Sequence, residues 1–527
     1  MTDNKYMNIP AEKFEFVNTS DRIHDAKFSD KPIGYFKDAW LRFRKNKASI
    51  VASIIIIFIV LFAIIVPFFN QTETGTKLDP YYAKMGPYVP ELAEYGVATG
   101  ESARTVTNYK QLINYYAIGI GAIQTSPNPV SFRKGVEIEN KYQPVTTSTD
   151  KVSVSGTKLS KTYGVNINTY LEKGFIYLSV EQDEYARMVE WQEANNTTLL
   201  YPLIEDNKYN IAPDDANYWY KTNKKGVPLK SNGRPVALDE DNPAEWKFNL
   251  IPNYKVDENG NTIDHEPTGG GDWNTCQFKV RVLYYKYYEY LNGNEPTFLF
   301  GTDSQGYDLA YRLAVGVRLS LILACIVSII NFVIGAIYGA IEGYYGGTTD
   351  IVMQRISEIL GGIPFTVVAT LFQMHLAQKV GAIPSLIFAF VMTGWLGTAG
   401  LVRTQFYRFK NQEYVMAART LGAKDSRIIW KHIFPNTLGT IVTSSVLVIP
   451  GVIFSESMLS FLGIVNLGGA KMTSLGTLLS EAANIWQTYP HLMIFPALVI
   501  SLLMICFNLF GNGLRDAFNP SLRGVED

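Results

Sequence analysis

The chain has 527 residues, of which 47% are hydrophobic and only 18% charged, and its formal net charge is -1. That charge share lies below the roughly 25% of soluble domains, and the near-neutral balance argues for neither a nucleic-acid nor an acidic partner, so the placement of charge matters more than its sum. The three cysteines (Cys276, Cys325, Cys506) form no CxxC and the five histidines are scattered, which excludes a disulfide framework and predicts no metal site. Cys325 and Cys506 fall in apolar runs and are expected as small core residues, and Cys276 is expected to be structural.

In chain order, residues 1–48 form a polar N-terminal segment that ends basic, with Lys31, Lys37, Arg42, Arg44, Lys45 and Lys47 against Asp30 and Asp38. Residues 49–69, SIVASIIIIFIVLFAIIVPFF, carry no charge and are long enough to span a bilayer. The length of this apolar core and of the segment before it predicts a retained anchor rather than a cleaved signal peptide. Residues 70–300 are polar and tyrosine-rich. Turn signals (DENGNT, TGGGDW, NGNEP), strand-like pieces (KVSVSG, GFIYLSV) and helix-like pieces (DEYARMVEWQEA, VLYYKYYEYL) predict a folded α+β domain without a catalytic constellation. In the following segment, 301–318, Asp303 between Gly301 and Gly306 reads first as a turn and helix cap, and Asp308 enters the next helix. A place at a pore mouth is the second reading for these four residues.

Residues 319–514 hold further apolar runs at 319–341, 359–374, 381–402, 433–455 and 492–514. The 359–374 run is short, follows Glu358 and contains Pro364. It counts as a span because otherwise two basic segments fall on opposite sides of the membrane. The second of them, 403–432, holds Arg403, Arg408, Lys410, Arg419, Lys424, Arg427 and Lys431 against Glu413 and Asp425. The positive-inside rule then puts both basic segments, both termini and the 515–527 tail in the cytoplasm, and 70–300 outside. The fold class expected is an all-α polytopic membrane domain of six helices with an inserted extracytoplasmic α+β domain.

Within 403–432, Glu413 to Leu421 consists of good helix formers, and Gly422 can take the left-handed conformation that ends a helix. A second helical stretch begins at Lys424, and Pro435 suits the first turn of the next span. The expected object is a short helix, a sharp turn and another short helix at the membrane surface. Its alanines permit a partner to approach closely. An interfacial helix whose basic residues touch lipid headgroups is the plainer alternative.

The spacing Ala417-Ala418, three residues, Gly422, and Pro435 thirteen residues later resembles the "EAA" loop of permease subunits in ABC importers. Met416, His432 and Phe434 depart from the general pattern, but EYVMAARTLGA followed by RIIWKHIFPN looks like the form of the oligopeptide and dipeptide branch. FGTDSQGYDLAYRLAVGVRLSL, GYYGGTTD, PGVIFSESMLSFLG and NLFGNGLRDAFNPSLRG are similar, in the same order, to that branch's other motifs. Tyr307 and Tyr311 stand where it usually has Arg and Ser. On this basis the chain is identified as a member of the OppC/DppC type of permease, with a type I importer fold, and the large 70–300 domain is a departure from it.

The resemblance implies a transmembrane subunit without catalytic residues. No GxxxxGK[ST] loop occurs, and ATP and Mg would belong to partner subunits. It implies as partners a second homologous permease, two ATPases, an extracellular solute-binding lipoprotein and membrane lipid, with no nucleic acid. It implies import of short peptides across a bacterial cell membrane, with nickel or oligosaccharides as alternative cargo and a stand-alone secondary transporter as a different class. Glu413, Ala417, Ala418, Arg419, Gly422, Ala423, Ile428, His432 and Pro435 would form the ATPase-coupling loop. Asn331, Glu456 and Asn508 are polar residues inside spans and so are pathway candidates. For Glu456 a helix–helix hydrogen bond or a position near the outer membrane surface is the first reading, and holding a peptide's amino terminus the second.

Overall fold

A computed structural model describes residues 35–69, 79–108, 115, 118, 142–148, 154–155, 158–201, 230–231, 234–235, 251–252, 254–256, 262–267, 277–468 and 472–518. Cys276, the turn TGGGDW, most of DENGNT and the two chain ends lie outside the described residues. Helix α1 (Tyr35–Lys45) and helix α2 (Lys47–Phe69) meet at Asn46, whose side chain accepts from the Ser49 N–H at 3.2 Å and caps α2. Ala39 and Phe43 of α1 are buried against the far end of the last helix, where Phe43 meets Phe510 edge-on at 5.6 Å. Helix α2 has a mean hydropathy of 3.3 and only 22% of it is buried within the chain, as suits a helix whose surface faces lipid.

Among the described residues the inserted region contains helices α3 (Gln182–Ala194) and α4 (Tyr284–Asn292), two four-stranded antiparallel sheets and two short hairpins. In one sheet β3 (Lys158–Asn168) lies between β1 (Glu101–Asn108) and β2 (Val145–Ser148). In the other, β4 (Phe175–Glu181) pairs with β5 (Gln277–Leu283) from Gln277↔Glu181 to Leu283↔Phe175. The expected α+β character is present. The piece VLYYKYYEYL is not helical throughout: Val282 and Leu283 stay in β5, where Val280 and Val282 turn fully buried side chains into the core, and the helix starts at Tyr284. Tyrosine is the most frequent residue of that core, with Tyr82 and Tyr170 at a ring-centroid distance of 5.1 Å.

Helix α5 (Leu309–Tyr345) runs for 37 residues and starts ten residues before the apolar run that predicts it. The ten extra residues include Arg318, which is exposed, and Arg312, which is 2% exposed and paired with Asp303 at 3.1 Å, and neither charge stops the helix. The expected separate segment 301–318 is therefore a turn that leads directly into α5. One face of α5 carries Gly335, Gly339 and Gly343, and all three lie against helix α9 (Leu396–Phe409). A Cβ added at Gly335 would sit 2.8 Å from the Trp395 carbonyl oxygen, and one at Gly343 2.8 Å from that of Arg403. This small-residue stripe lets the two backbones approach closely. Gly339→Leu is expected to prevent the bundle from assembling, seen as loss of the monodisperse peak in detergent.

Helices α6 (Gly347–Gly361) and α7 (Phe365–His375) are bent by 71°. The expected 359–374 helix is thus broken, because Pro364 lacks an N–H and keeps Ile363 out of the helical region. Helix α8 (Ala382–Gly394) continues into α9 through a turn at Trp395. Helix α10 (Glu413–Thr420) precedes a 37-residue helical run, Asp425–Phe461, which includes α11 (Phe434–Val446) and α12 (Val448–Phe461). Helix α13 (Leu475–Ala482) and helix α14 (His491–Phe518) complete the bundle. Among the described residues five helices are long and apolar enough to cross a membrane, and six if the α6–α7 pair makes one crossing. Cys506 is buried as expected, whereas Cys325 is exposed on α5, on a face turned away from the rest of the chain.

Candidate functional site

At one end of the bundle lies the segment 410–424, shorter than the loop 403–432 that charge counting predicts, because α9 continues to Phe409 and the next helix starts at Asp425. Gly422 has φ +78° and closes α10 in a Schellman motif. Its N–H donates to the Arg419 carbonyl at 2.9 Å, and the Ala423 N–H donates to the Ala418 carbonyl at 3.1 Å. Ala418 and Ala423 are therefore the pair flanking the turn. Val415 is fully buried and fixes α10 to the bundle, while Met416 and Leu421 are 58% and 88% exposed on either side of exposed Ala417. The loop thus presents an apolar tip of small and flexible residues. Glu413 and Arg419 are exposed at its margin.

The second half of the loop departs from expectation. It is not a separate surface helix but the first turns of the long run into α11 and α12. Residues Ile428–Ile433 form a π-helical stretch in which the Phe434 N–H donates to the Ile429 carbonyl. Ile428 and Ile433 are fully buried, His432 is half-buried, and Pro435 occupies the first turn of α11 as expected.

Polar contacts join this loop to the same end of α5, which sequence reading missed. Arg403 donates to both oxygens of Asp350 at 2.5 and 2.8 Å and lies 3.3 Å from Glu342. Tyr407 donates to Asp350 at 2.8 Å, and Lys410 to the Gly343 carbonyl at 3.0 Å. Next to Gly343, Tyr344 donates its hydroxyl proton to Asp425 at 2.6 Å and accepts from Arg419 at 3.4 Å. These partners are 53 to 81 residues apart and leave no local signature, although GYYGGTTD marks the segment.

The outer motif sits at the opposite end of α5. The Asp303 carboxylate accepts from the N–H groups of Gln305 and Tyr307 at 2.8 and 2.9 Å, and Asp308 caps α5 by accepting from Ala310 at 2.8 Å. Turn and cap are therefore their local roles. The motif is also the seam of the inserted domain: Lys84 donates its backbone N–H to the Asp303 carbonyl at 2.8 Å and Thr302 donates to that of Met85 at 3.0 Å. Gly301 and Gly306, with φ +82° and +95°, lie so close to the Met85 and Asp79 carbonyls that a Cβ would collide. Arg312 also lies 3.8 Å from Glu481 of α13.

Burial pushes the Asp308 carboxyl up to about 6, helped by Asp303 and opposed by its backbone hydrogen bonds. Between about pH 4 and that value the folded chain keeps a proton that the unfolded chain, with an ordinary carboxylate near 3.9, has released. Stability therefore falls as pH rises through this window. Thermal unfolding of purified protein should show that decline, and Asp308→Asn, which keeps the cap, should flatten it.

The three pathway candidates do not converge. Asn331 is buried in α5 against Gly394 at the α8–α9 turn. Glu456 is 1% exposed and accepts from Ser460 at 2.9 Å and Ser320 at 3.0 Å, which joins α12 to α5. Asn508 is exposed on α14 and donates to the Met504 carbonyl at 2.7 Å.

Comparison with known families agrees with this architecture. Residues 332–524 match the model described as binding-protein-dependent transport system inner membrane component, and residues 34–87 match the N-terminal TM domain of oligopeptide transport permease C. The oligopeptide transport permease OppC of Bacillus subtilis is 40% identical over 44% of this chain and 76% of its own length. The dipeptide transport permease DppC of the same species is 42% identical over 42% of this chain and 69% of its own. OppC of Haemophilus influenzae is 44% identical over 42% of this chain and 70% of its own. A solved inward-facing structure of the MetNI methionine ABC transporter overlaps 40% of this chain and 98% of its own at 17% identity, with a TM-score of 0.35, too loose to argue from. The fold is that of a multi-pass membrane permease. The chain belongs to the family of ABC transporter permeases of the OppC/DppC type.

Proposed function

We propose that this chain forms half of the membrane pathway of an ATP-driven importer of short peptides, and that the 410–424 loop is where an ATPase subunit docks. The observation that carries the coupling role is the Gly422 turn, which presents Met416, Ala417 and Leu421 outward on a helix anchored by Val415. Peptide as cargo rests on the names of the relatives. In this reading the loop and both termini face the cytoplasm, and the inserted domain faces outward as a platform for a solute-binding lipoprotein. A second, homologous permease completes the pathway, with exposed Asn508 of α14 a candidate for the shared face. ATP and Mg are handled by the two ATPase subunits, and this chain supplies shape rather than chemistry. ATP-driven closure of the ATPases would move the loop and rock the bundle between inward-open and outward-open states.

The test is co-purification with the neighbouring subunits, followed by ATP hydrolysis in proteoliposomes with peptides, nickel or oligosaccharides. Stimulation by peptide plus binding protein supports the reading. Stimulation by nickel or sugar alone overturns the cargo, and failure of any ATPase to co-purify overturns the class. Deleting residues 73–295 and finding binding-protein docking unaffected would remove the platform role.

A further inference from the structure

The loop and α5 meet at Tyr344, and the geometry of that meeting is specific. Tyr344 is 7% exposed and is the penultimate residue of α5. Its hydroxyl donates to Asp425, at the start of the long run to Phe461, at 2.6 Å, and the Asp425 carboxylate is the acceptor. The Arg419 guanidinium stands over its ring at 5.7 Å and reaches the same hydroxyl at 3.4 Å. Arg419 and Asp425 lie on opposite sides of the Gly422 turn. One side chain therefore holds both arms of the helix–turn–helix, and it does so from the end of a helix that crosses the whole bundle.

A left-handed glycine on the surface is a weak joint: within its own turn, the two backbone hydrogen bonds of the Schellman motif are what resist bending. Among the described residues no atom comes within 4 Å of a Cβ placed on Gly422. Force applied to the loop tip at Leu421 would flex this joint unless both arms are tied to a common body. The adjacent contacts strengthen that tie: Lys410 holds the Gly343 carbonyl and lies 4.1 Å from the Tyr407 ring, and Arg403 holds Asp350 just past the α5 end.

At its other end α5 begins at the Asp303–Arg312 seam with the inserted domain. Its 37 residues span about 55 Å at the usual helical rise.

We propose that Tyr344 is a positioning residue for coupling: it clamps both arms of the docking loop to α5, so that a displacement of the loop moves α5, and with it the base of the inserted domain, instead of being lost at Gly422. This rests on the reading of the loop as the ATPase-docking site. Charge-assisted hydrogen bonds and a cation over an aromatic ring are contacts of adequate strength for such a pin.

The experiment uses the complete transporter, with its second permease, ATPases and binding protein, in proteoliposomes. Tyr344→Phe removes one oxygen and keeps the ring. The expected result is normal assembly and ATP hydrolysis that persists while peptide uptake falls about tenfold, so that more ATP is consumed per peptide. Asp425→Ala should lower uptake in the same way, and the double variant should be no worse than Tyr344→Phe alone, since Tyr344→Phe already breaks the contact to Asp425 together with the one from Arg419. A purely structural role would instead lower the amount of assembled complex and both rates in proportion, and that outcome overturns the proposal. Unchanged uptake in Tyr344→Phe overturns it as well. Cross-linking from Leu421→Cys to an ATPase separates the two claims. Its absence in otherwise wild-type protein refutes the docking reading, and its presence together with full uptake by Tyr344→Phe refutes only the clamp.

Discussion

Gly422→Pro is expected to abolish uptake while the protein remains in the membrane. Proline fixes φ near -65°, and Gly422 sits at +78°, so the Schellman turn cannot close. The two hydrogen bonds across it, from the N–H groups of Gly422 and Ala423, are lost, and Leu421 no longer stands where the turn places it. The informative comparison is with milder substitutions. Asn tolerates the left-handed region, so Gly422→Asn should retain most uptake. Gly422→Ala should cost about 1 kcal/mol in backbone conformation and make no clash with the described residues, since the space beside the glycine is open. Loss of uptake by Gly422→Ala well beyond that, with normal thermal stability of the isolated permease, would identify the space as one that a partner fills. Full uptake by Gly422→Pro would sink the coupling assignment.

The second large effect is expected at the other end of α5. Arg312 is 2% exposed and faces Asp303, also 2% exposed, with Glu481 behind it. Arg312→Leu leaves a buried carboxylate without its counter-charge, which destabilises by about 3–5 kcal/mol. The unfolding midpoint in detergent should drop by several degrees. Asp303→Asn combined with Arg312→Leu should recover much of the loss, because the orphan charge is gone. The recovery should be incomplete, since Glu481, 3.8 Å from Arg312, loses its counter-charge as well. If Arg312→Leu unfolds at the wild-type temperature, the pair contributes nothing to the stability of the fold.

These two sites show what a sequence discloses and what it withholds. The apolar runs announce the spans because a bilayer demands length and hydropathy, both of them local properties. The Gly422 turn was legible for the same reason: a helix end needs a left-handed residue, and its neighbours Ala418 and Ala423 are the motif's own partners. Helix limits were less legible wherever a charge finds a distant partner. The apolar run begins only after Arg318, yet α5 starts ten residues earlier and takes in Arg312, whose charge is paired with Asp303. Glu456 reads first as a structural group and second as a substrate ligand, and the serines that donate to it, Ser320 and Ser460, are not named by its own segment alone. The Tyr344–Asp425 contact joins residues 81 apart, with nothing in either segment to point to the other. Pro364 did carry a local warning, but its consequence, a 71° bend rather than a shortened helix, depends on how the two halves pack.

The π-helical stretch at Ile428–Ile433 has one more consequence. Relative to an α-helix it holds one surplus residue, and one residue corresponds to about 100° of rotation about the helix axis. The tip of the 410–424 loop is therefore set at a different azimuth from the one an uninterrupted α-helix through Pro435 would impose, while Ile428 and Ile433 both stay buried. Deleting a single residue from this stretch would remove little mass and no contact made by the tip itself. It would turn the tip by about a quarter of a revolution relative to α12, like a key cut correctly but inserted at the wrong angle.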